Sequence, residues 1–503
     1  MSEALVSNFN ERMTNWYRLN GIRSHLSWDQ QTIMPPKAAV GRGETLSWLA
    51  GESHKQITDP DFGKLVSELE KIVDELDETT ACNVIRMRRE IDQATKLPAD
   101  LVKELTSAVS EARQIWQKAR EENDYQMFAP QLQKIIDLTK RKMKYLGGDQ
   151  ANYDVLLDEF EIGMTMSDYD PLFEGLRARL VPLLEKIMMV KESIEEPQIP
   201  SDMIFPERNQ DKFCRIVSEK MGFDFDAGRM DTTVHPFCSG LAIGDVRITT
   251  RYDEADPFSC LYAVMHETGH GLYEQGLSEE HRLSPRGQAI SLGVHESQSR
   301  LWENQIGRTT AFWEVVIEAF KEKFPDMPSE LGPEQINRIA NSVEPSYIRV
   351  EADEITYNLH IMLRYEIEKK IFEENLPVSE IPNVWNEMFE DWFGIQVPND
   401  TLGCLQDVHW SYGAFGYFPT YTLGNLYAAQ LMEKMEDELG DVEEIIRSGN
   451  WSSLLTWLRD NVHSHGMLYD PSELIEKATG IPPNPEPFLR YVEKKYGELY
   501  GLS

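Results

Sequence analysis

Cysteine is scarce in this chain of 503 residues, and no two cysteines form a CxxC pair. The five thiols are scattered along the sequence, at Cys82, Cys214, Cys238, Cys260 and Cys404. An odd, dispersed set of cysteines argues against a disulfide framework and against a thiolate metal site. It is typical of a protein in a reducing compartment, so we expect a cytoplasmic location.

Long apolar runs are also missing. No stretch approaches the roughly 20 apolar residues that a membrane-spanning helix needs. Residues 1–31 are amphipathic and contain no apolar core segment, so they do not resemble a signal peptide. We therefore expect no membrane partner.

Basic residues are few relative to acidic ones. Lys and Arg total 50 against 85 Asp and Glu, which gives a formal net charge of -35. A surface this negative repels the phosphates of nucleic acids and of anionic lipids, so we predict no nucleic-acid partner. An anionic substrate is still compatible with this charge if the cationic groups that receive it are concentrated locally.

The dominant pattern along the chain is helical, because apolar residues recur at spacings of three and four. This pattern covers residues 60–92, 99–122, 130–145, 169–194, 358–375 and 424–438. Only residues 241–252 alternate like a strand. Without repeats or a clean linker, the pattern predicts a mainly α fold, with one small β-sheet in a single catalytic domain, 1–503.

The sharpest local signal is the HExxH motif HETGH at 266–270. Residues four apart on a helix are separated by about 40° around its axis, so His266 and His270 point to one side. Two imidazoles on one face suit Zn²⁺, and Glu267 between them can reach a bound water. Two surface histidines on an acidic helix are the alternative.

A catalytic zinc site needs a third protein ligand and an open position. Residues 289–304 resemble a second helix, and Glu296 on it is the predicted third ligand. Glu303 is the competing candidate, but we expect it to orient a ligand imidazole instead. His295 is expected to pack or to support a ligand. Co²⁺ or Mn²⁺ could replace Zn²⁺ in such a site, since affinity follows metal availability as well as geometry.

Several motifs occur in order along the chain, and the main ones are HPF at 235–237, DVRIT at 245–249, HETGH at 266–270, HESQ at 295–298, IRVEAD at 348–353 and GCLQDVHW at 403–410. Together they resemble the carboxypeptidase Taq family, the thermostable metallocarboxypeptidases of bacteria and archaea. Two earlier stretches also look like that family: WD at 28–29 leading to MPP at 34–36, and YD at 153–154 leading to LD at 157–158.

The resemblance implies a large helical metallopeptidase with a deep central cleft, similar to neurolysin and angiotensin-converting enzyme, and a small sheet near the active site. An N-terminal part, about 1–200, would cover the cleft. The metal and the substrate would bind to the second part, about 201–503. It also implies removal of single residues from the carboxyl ends of peptides, and a homodimer.

His409 and Tyr421 are the candidates for stabilising the oxyanion that forms during peptide hydrolysis. The similar peptidases use a His and a Tyr at comparable distance after the metal helices. Each oxyanion donor typically contributes about 3 kcal/mol to transition-state stabilisation. A core aromatic is the alternative for Tyr421.

A carboxypeptidase must recognise a free carboxylate, and a planar guanidinium does so best because it binds bidentately. Arg349 and Arg247 both lie in family motifs, and the resemblance favours Arg349 as the anchor. An intrahelical ion pair with Asp353 is the alternative for Arg349. Arg247 either lines the cleft or pairs with Asp245. His235 either touches the substrate backbone or caps the strand.

The motif residues predict a zinc hydrolase with Glu267 as the general base, and the family resemblance implies a metallocarboxypeptidase that acts on peptides with a free carboxyl terminus. An endo-acting zinc oligopeptidase is the first alternative, and it would ignore a blocked carboxyl terminus. A non-catalytic helical scaffold that binds no metal is the second. An aminopeptidase fits less well, because the arginine candidates suit a carboxylate better than an amine.

Overall fold

Twenty α-helices account for most of the regular structure in residues 2–502, the part of the chain that the computed structural model describes. The helices of the first half are α1 Ser2–Gln31, α2 Ala39–Ile57, α3 Pro60–Glu70, α4 Glu78–Lys96, α5 Ala99–Glu122, α6 Tyr125–Gly147, α7 Asp154–Asp158, α8 Met166–Lys191 and α9 Glu207–Met221. Those of the second half are α10 Pro257–Gly276, α11 Leu292–Arg300, α12 Thr310–Lys323, α13 Pro333–Ala340, α14 Glu354–Glu373, α15 Ile381–Phe393, α16 Pro419–Leu439, α17 Val442–Arg447, α18 Trp451–Asn461, α19 Pro471–Thr479 and α20 Glu486–Tyr500. The predicted mainly α fold is confirmed.

The amphipathic segments correspond closely to these helices, with one exception. The predicted segment 99–122 coincides with α5, whereas 60–92 is divided between α3 and α4. The interruption has a local cause: Asp77 caps α4, because its carboxylate accepts a hydrogen bond from the backbone N–H of Thr80 at 3.0 Å. A cap of this kind starts a new helix even within a continuous apolar pattern.

One three-stranded sheet lies before the helix that carries the HExxH motif. Its strands are β1 Gly228–Thr232, β2 Cys238–Ala242 and β3 Asp245–Thr250, in the order β1-β3-β2, with β1 parallel and β2 antiparallel to β3. The predicted strand region 241–252 includes β3 and the end of β2. The rest of the sheet was missed because β1 and β2 contain Gly, Asp and Ala, which are depleted in strands.

Most of the buried apolar residues form two clusters. The smaller cluster lies within α1–α4 and comprises Phe9, Met13, Ile57, Phe62, Leu65, Val66, Leu69, Val84, Met87 and Ile91. The larger cluster extends from Leu101 in α5 to Tyr500 in α20 and includes the helix of the HExxH motif. Helices α1–α4 therefore have a core of their own, and α5–α8 share the core of the second half of the chain.

Membrane insertion finds no support among the helices of residues 2–502. None of them combines the length and the apolar character that crossing a bilayer requires.

Candidate active site

Helix α10 presents the HExxH residues, and α11 presents the predicted third ligand. The carboxylate of Asp256 caps α10 by accepting hydrogen bonds from two backbone N–H groups at 2.9 and 3.2 Å. The hydroxyl of Ser291 caps α11 by accepting from the N–H of Val294 at 3.1 Å. Both helices therefore begin at fixed residues, which sets the direction in which His266, His270 and Glu296 point.

Two glycines let three helices meet closely at the site. A Cβ on Gly269 of α10 would lie 2.5 Å from the carbonyl oxygen of Gln298 and 2.6 Å from the Cα of Ser299, both in α11. A Cβ on Gly424 of α16 would lie 2.3 Å from the Cγ of Glu296. The third position between the histidines of HETGH is therefore glycine for a packing reason.

We expect Gly269→Ala to destabilise the protein by about 1–3 kcal/mol, because overpacking a close helix contact forces backbone shifts. The backbone shift between α10 and α11 should also move His270 away from Glu296, so we expect the affinity for metal to fall. Urea unfolding and metal titration measure the two effects. The control is Gly51→Ala in α2, where a Cβ meets nothing within 4 Å. Wild-type stability and metal affinity in Gly269→Ala would contradict this account of the contact.

His266, His270 and Glu296 form a compact cluster in which one ligand atom from each lies within 4.8 Å of the others. The Nε2 atoms of His266 and His270 are 3.2 Å apart. The Oε2 atom of Glu296 lies 3.5 Å from the first and 3.4 Å from the second. The side chains of the two histidines keep 19% and 16% of their exposure, so a small molecule can reach the cluster.

The other ring nitrogen of each histidine has a partner. The Nδ1 atom of His266 lies 2.9 Å from the Oε2 of Glu303, and the Nδ1 of His270 lies 2.6 Å from the Nδ1 of His295. The Nε2 of His295 lies 2.9 Å from the Oε1 of Glu274. The predicted contact of Glu303 with an imidazole is confirmed, and so is the supporting position of His295.

These partners test whether the cluster suits a cation. A carboxylate oxygen only accepts, so His266 holds a proton on Nδ1 and turns its Nε2 towards His270 and Glu296. Burial lowers the pKa of His270 to about 3, which keeps that ring neutral, whereas the carboxylates of Glu296 and Glu303 outweigh burial and raise the pKa of His266. The carboxylates therefore favour a positive charge where the two Nε2 atoms and the Oε2 of Glu296 converge. The residues therefore fit a divalent metal, and two imidazoles with one carboxylate are a donor set found in zinc peptidases.

Arg300 fixes the orientation of Glu296, a role that the sequence analysis did not predict. Its Nε donates to the Oε1 of Glu296 at 2.7 Å, so Oε2 is the oxygen that faces the imidazoles. Its Nη1 donates to Glu303 at 3.3 Å, and the guanidinium lies 4.4 Å from the ring centroid of Tyr357. Burial would raise the pKa of Glu296, but Arg300 and the imidazoles hold it well below its usual range.

Residues Leu301–Ile306 continue α11 as a π-helix in which all six side chains are buried. Glu303 lies inside this segment, between Arg300 and Arg308, whose Nη2 is 3.4 Å from the Oε1 of Glu303. A single π-turn within a helix is frequent at functional sites. Here it carries the carboxylate that holds His266.

Glu267 lies beside the cluster and is buried. Burial raises its pKa to about 7, although the neighbouring His266 opposes the rise. Strand β2 lies next to this helix, since a Cβ on its Gly240 would be 2.1 Å from the Oε2 of Glu274 on α10.

His409 and Tyr421 come together, and Tyr421 lies three residues before Gly424, the position of α16 that packs against Glu296. Their ring centroids are 6.4 Å apart, and Tyr417 lies 5.3 Å from each. Burial raises the pKa of Tyr421 well above its usual value, and the charge of Glu296 adds to the rise. Burial lowers the pKa of His409 to about 4, so its ring is neutral near pH 7.

Arg349 contacts Asp407 rather than Asp353. Its Nε and Nη2 donate to one oxygen of Asp407 at 3.1 and 2.9 Å, and its guanidinium lies 5.2 Å from the ring centroid of Tyr421. The second oxygen of Asp407 accepts from the Nε of Arg364 at 2.6 Å. Asp353 instead caps α14 by accepting from two backbone N–H groups. The alternative of an intrahelical ion pair is therefore wrong.

Arg247 connects the sheet to α1. Both oxygens of Asp245 accept from it at 2.7 and 2.8 Å, as the sequence alternative proposed, and it lies 4.3 Å from the ring centroid of Trp28. His25 of α1 also contacts Asp245, at 3.0 Å. His235 lies exposed in the loop between β1 and β2. Within residues 2–502, neither Arg247 nor His235 forms a hydrogen bond with the clustered side chains of His266, His270 and Glu296.

Comparisons with known proteins agree over nearly the whole chain. A family model described as Carboxypeptidase Taq (M32) metallopeptidase matches residues 8–496. The chain is 40% identical to Thermostable carboxypeptidase 1 of Thermus thermophilus, over 99% of both chains, and 37% identical to Carboxypeptidase 1 of Bacillus subtilis, over 95% of both. The solved M32 carboxypeptidase from Deinococcus radiodurans is 37% identical, with a TM-score of 0.95 over 99% of this chain and 100% of that one. A carboxypeptidase structure from Pyrococcus furiosus has a TM-score of 0.94 at 35% identity, over 98% and 99%.

Proposed function

Because the chain belongs to the carboxypeptidase Taq (M32) metallopeptidases, we propose that it removes single residues from peptides with a free carboxyl terminus, at the cluster of His266, His270 and Glu296. One observation carries this proposal. Two imidazole nitrogens and one carboxylate oxygen converge within 4.8 Å, and the buried carboxylate of Glu267 lies on the same helix between the histidines.

We propose Zn²⁺ as the metal held by these three residues, with Co²⁺ or Mn²⁺ as possible substitutes. When bound, such an ion acidifies a water molecule and polarises the scissile carbonyl. Glu303 would hold the imidazole of His266 in the orientation that binding requires.

Glu267 is the proposed general base. Its carboxylate takes a proton from the attacking water and passes it to the leaving amine, which is the usual work of a positioned carboxylate in hydrolysis. Its position next to His266 on α10 supports this role, as does the exposure of the imidazoles beside it.

His409 and Tyr421 are the proposed donors to the oxyanion. A neutral imidazole offers one N–H and a phenol offers one O–H, so the two rings can donate together to a single oxygen. The distance of 6.4 Å between their ring centroids supports the pairing.

Arg349 is the proposed anchor for the terminal carboxylate of the substrate. Asp407 accepts from two of its nitrogens, and the remaining Nη1 lies 3.3 Å from the hydroxyl of Tyr357. Arg247 and His235 remain secondary candidates near the sheet. On the family resemblance we further propose a neurolysin-like cleft, a homodimer and, with the scattered cysteines, a cytoplasmic enzyme.

Mass spectrometry of one unstructured peptide tests this function. With metal-loaded protein, we expect the peptide with a free carboxyl end to form a ladder that loses one residue at a time. The carboxyl-amidated peptide should stay intact, and so should the free peptide with chelated protein. Internal fragments from both peptides would indicate an endo-acting oligopeptidase. No cleavage with any metal would favour the helical scaffold.

A further inference from the structure

Strand β2 is connected to the metal cluster through two side chains that the proposed mechanism does not use directly. We infer that Glu274 and Gly240 control metal affinity through His295, although neither contacts the metal. This inference rests on the proposed metal centre. It assigns Glu274 and His295 as positioning residues for His270.

Hydrogen bonds join Glu274 to His295 and His295 to His270, and we call this series the relay. The direction of its hydrogen bonds follows from the carboxylate of Glu274. The Oε1 of Glu274 lies 2.9 Å from the Nε2 of His295, and a carboxylate accepts, so His295 carries its proton on Nε2. Two ring nitrogens 2.6 Å apart share one proton, and with the Nε2 of His295 directed at Glu274 the geometry makes the Nδ1 of His270 the donor and the Nδ1 of His295 the acceptor. His270 then holds its proton on Nδ1 and turns its Nε2 towards the metal site.

The relay also holds the ring of His270 in position. The ring centroids of His270 and His295 are 4.6 Å apart, and the ring of Tyr273 lies 5.1 Å from that of His295. His295 is the residue before Glu296 on α11. One helix therefore supplies both a metal ligand and the partner that orients another ligand.

Gly240 of β2 determines whether Glu274 can reach His295. A Cβ at this position would lie 2.1 Å from the Oε2 of Glu274 and 2.4 Å from its carboxyl carbon. No real side chain fits there unless Glu274 moves. Glu274 is a flexible side chain that can swing outward, so the loss would fall on the contact with His295 more than on the fold.

The first experiment compares His295→Phe with His295→Asn. Phe removes the acceptor for the Nδ1 of His270, whereas the amide oxygen of Asn can still accept there. We expect His295→Phe to weaken Zn²⁺ binding about 10–100-fold, the usual cost of losing such a partner, and His295→Asn to recover most of it. Chelator competition measures Zn²⁺ affinity, and the visible spectrum of bound Co²⁺ reports the coordination. Equal affinities in the two variants would overturn the proton assignment.

The second experiment tests the connection to the strand with Gly240→Ala. We expect Zn²⁺ affinity to fall about tenfold with little change in the urea midpoint of the metal-free protein. Gly51→Ala is the control, since a Cβ there meets nothing within 4 Å. Wild-type affinity in a folded Gly240→Ala protein would overturn the role of Gly240.

These readouts separate the inference from the proposed function. If the wild-type protein binds Zn²⁺ and cleaves peptides but all variants bind equally well, only the inference fails. If the wild-type protein binds neither Zn²⁺ nor Co²⁺, the metal centre itself is wrong and the inference fails with it.

Discussion

Replacing Glu267 by Gln is expected to lower kcat/KM for carboxyl-terminal cleavage about 10³-fold, within the range known for loss of a general base. Gln has nearly the same shape, so it fits the buried position on α10, but its amide does not accept the proton of the attacking water. Metal affinity should stay close to that of the wild type, because Glu267 is not one of the clustered ligands. Initial rates with a free-carboxyl peptide and metal content per chain are the two measurements.

Glu279→Gln is the matched control, since Glu279 is exposed on a short turn after α10 and makes only a peripheral ion pair with Arg282. It should retain the wild-type rate. A Glu267→Gln enzyme with more than a tenth of the wild-type rate would exclude Glu267 as the base. A low rate together with lost metal would show instead that Glu267 maintains the site.

Asp407→Asn is expected to destabilise the protein by about 3–5 kcal/mol, as breaking a buried ion pair does when one partner is removed. Asp407 lies between the guanidiniums of Arg349 and Arg364, and all three side chains are largely buried. The two arginines hold its pKa below the usual range, against the effect of burial. Without the carboxylate, two positive charges remain in the core. Urea unfolding measures the loss.

Two further variants separate this explanation from a general loss of packing. Asp437→Asn changes an exposed carboxyl group in α16 and should leave the stability unchanged. Asp407→Asn combined with Arg364→Met removes one of the uncompensated charges, so it should be more stable than Asp407→Asn alone. A cost below 1 kcal/mol for Asp407→Asn, or a double variant that is weaker still, would contradict the charge argument.

The grouping of two histidines and one glutamate could be predicted because its sequence signal is local. His266 and His270 are four residues apart on one helix, and Glu296 follows on the next, so spacing and ligand chemistry are sufficient to group them. Glu303 could also be assigned to an imidazole in advance. The catalytic roles predicted for the residues of this site depend on the chemistry of a bound substrate, which sequence spacing alone does not specify.

The ion pairs of Arg349 and Arg364 with Asp407 could not be predicted, because their partners are distant in sequence. Asp407 meets Arg349 across 58 positions and Arg364 across 43. No local pattern indicates such pairs. Arg300 did have a sequence signal, since it lies four residues after Glu296 and three before Glu303. Acidic and basic residues at that spacing, however, usually lie on the solvated face of a helix.

The π-helix at Leu301–Ile306 has a consequence for changes in chain length. A π-turn is an α-helix that contains one additional residue in a turn, so removing one residue from this segment would restore regular α-helical winding. Residues beyond the segment would keep their directions, whereas those inside it would be redistributed by up to about 100°, the rotation of one α-helical residue. Glu303 lies inside the segment, so its carboxylate would turn away from His266 or from Arg308. We therefore expect this segment to accept conservative substitutions more readily than a single deletion, which makes its length part of the metal site.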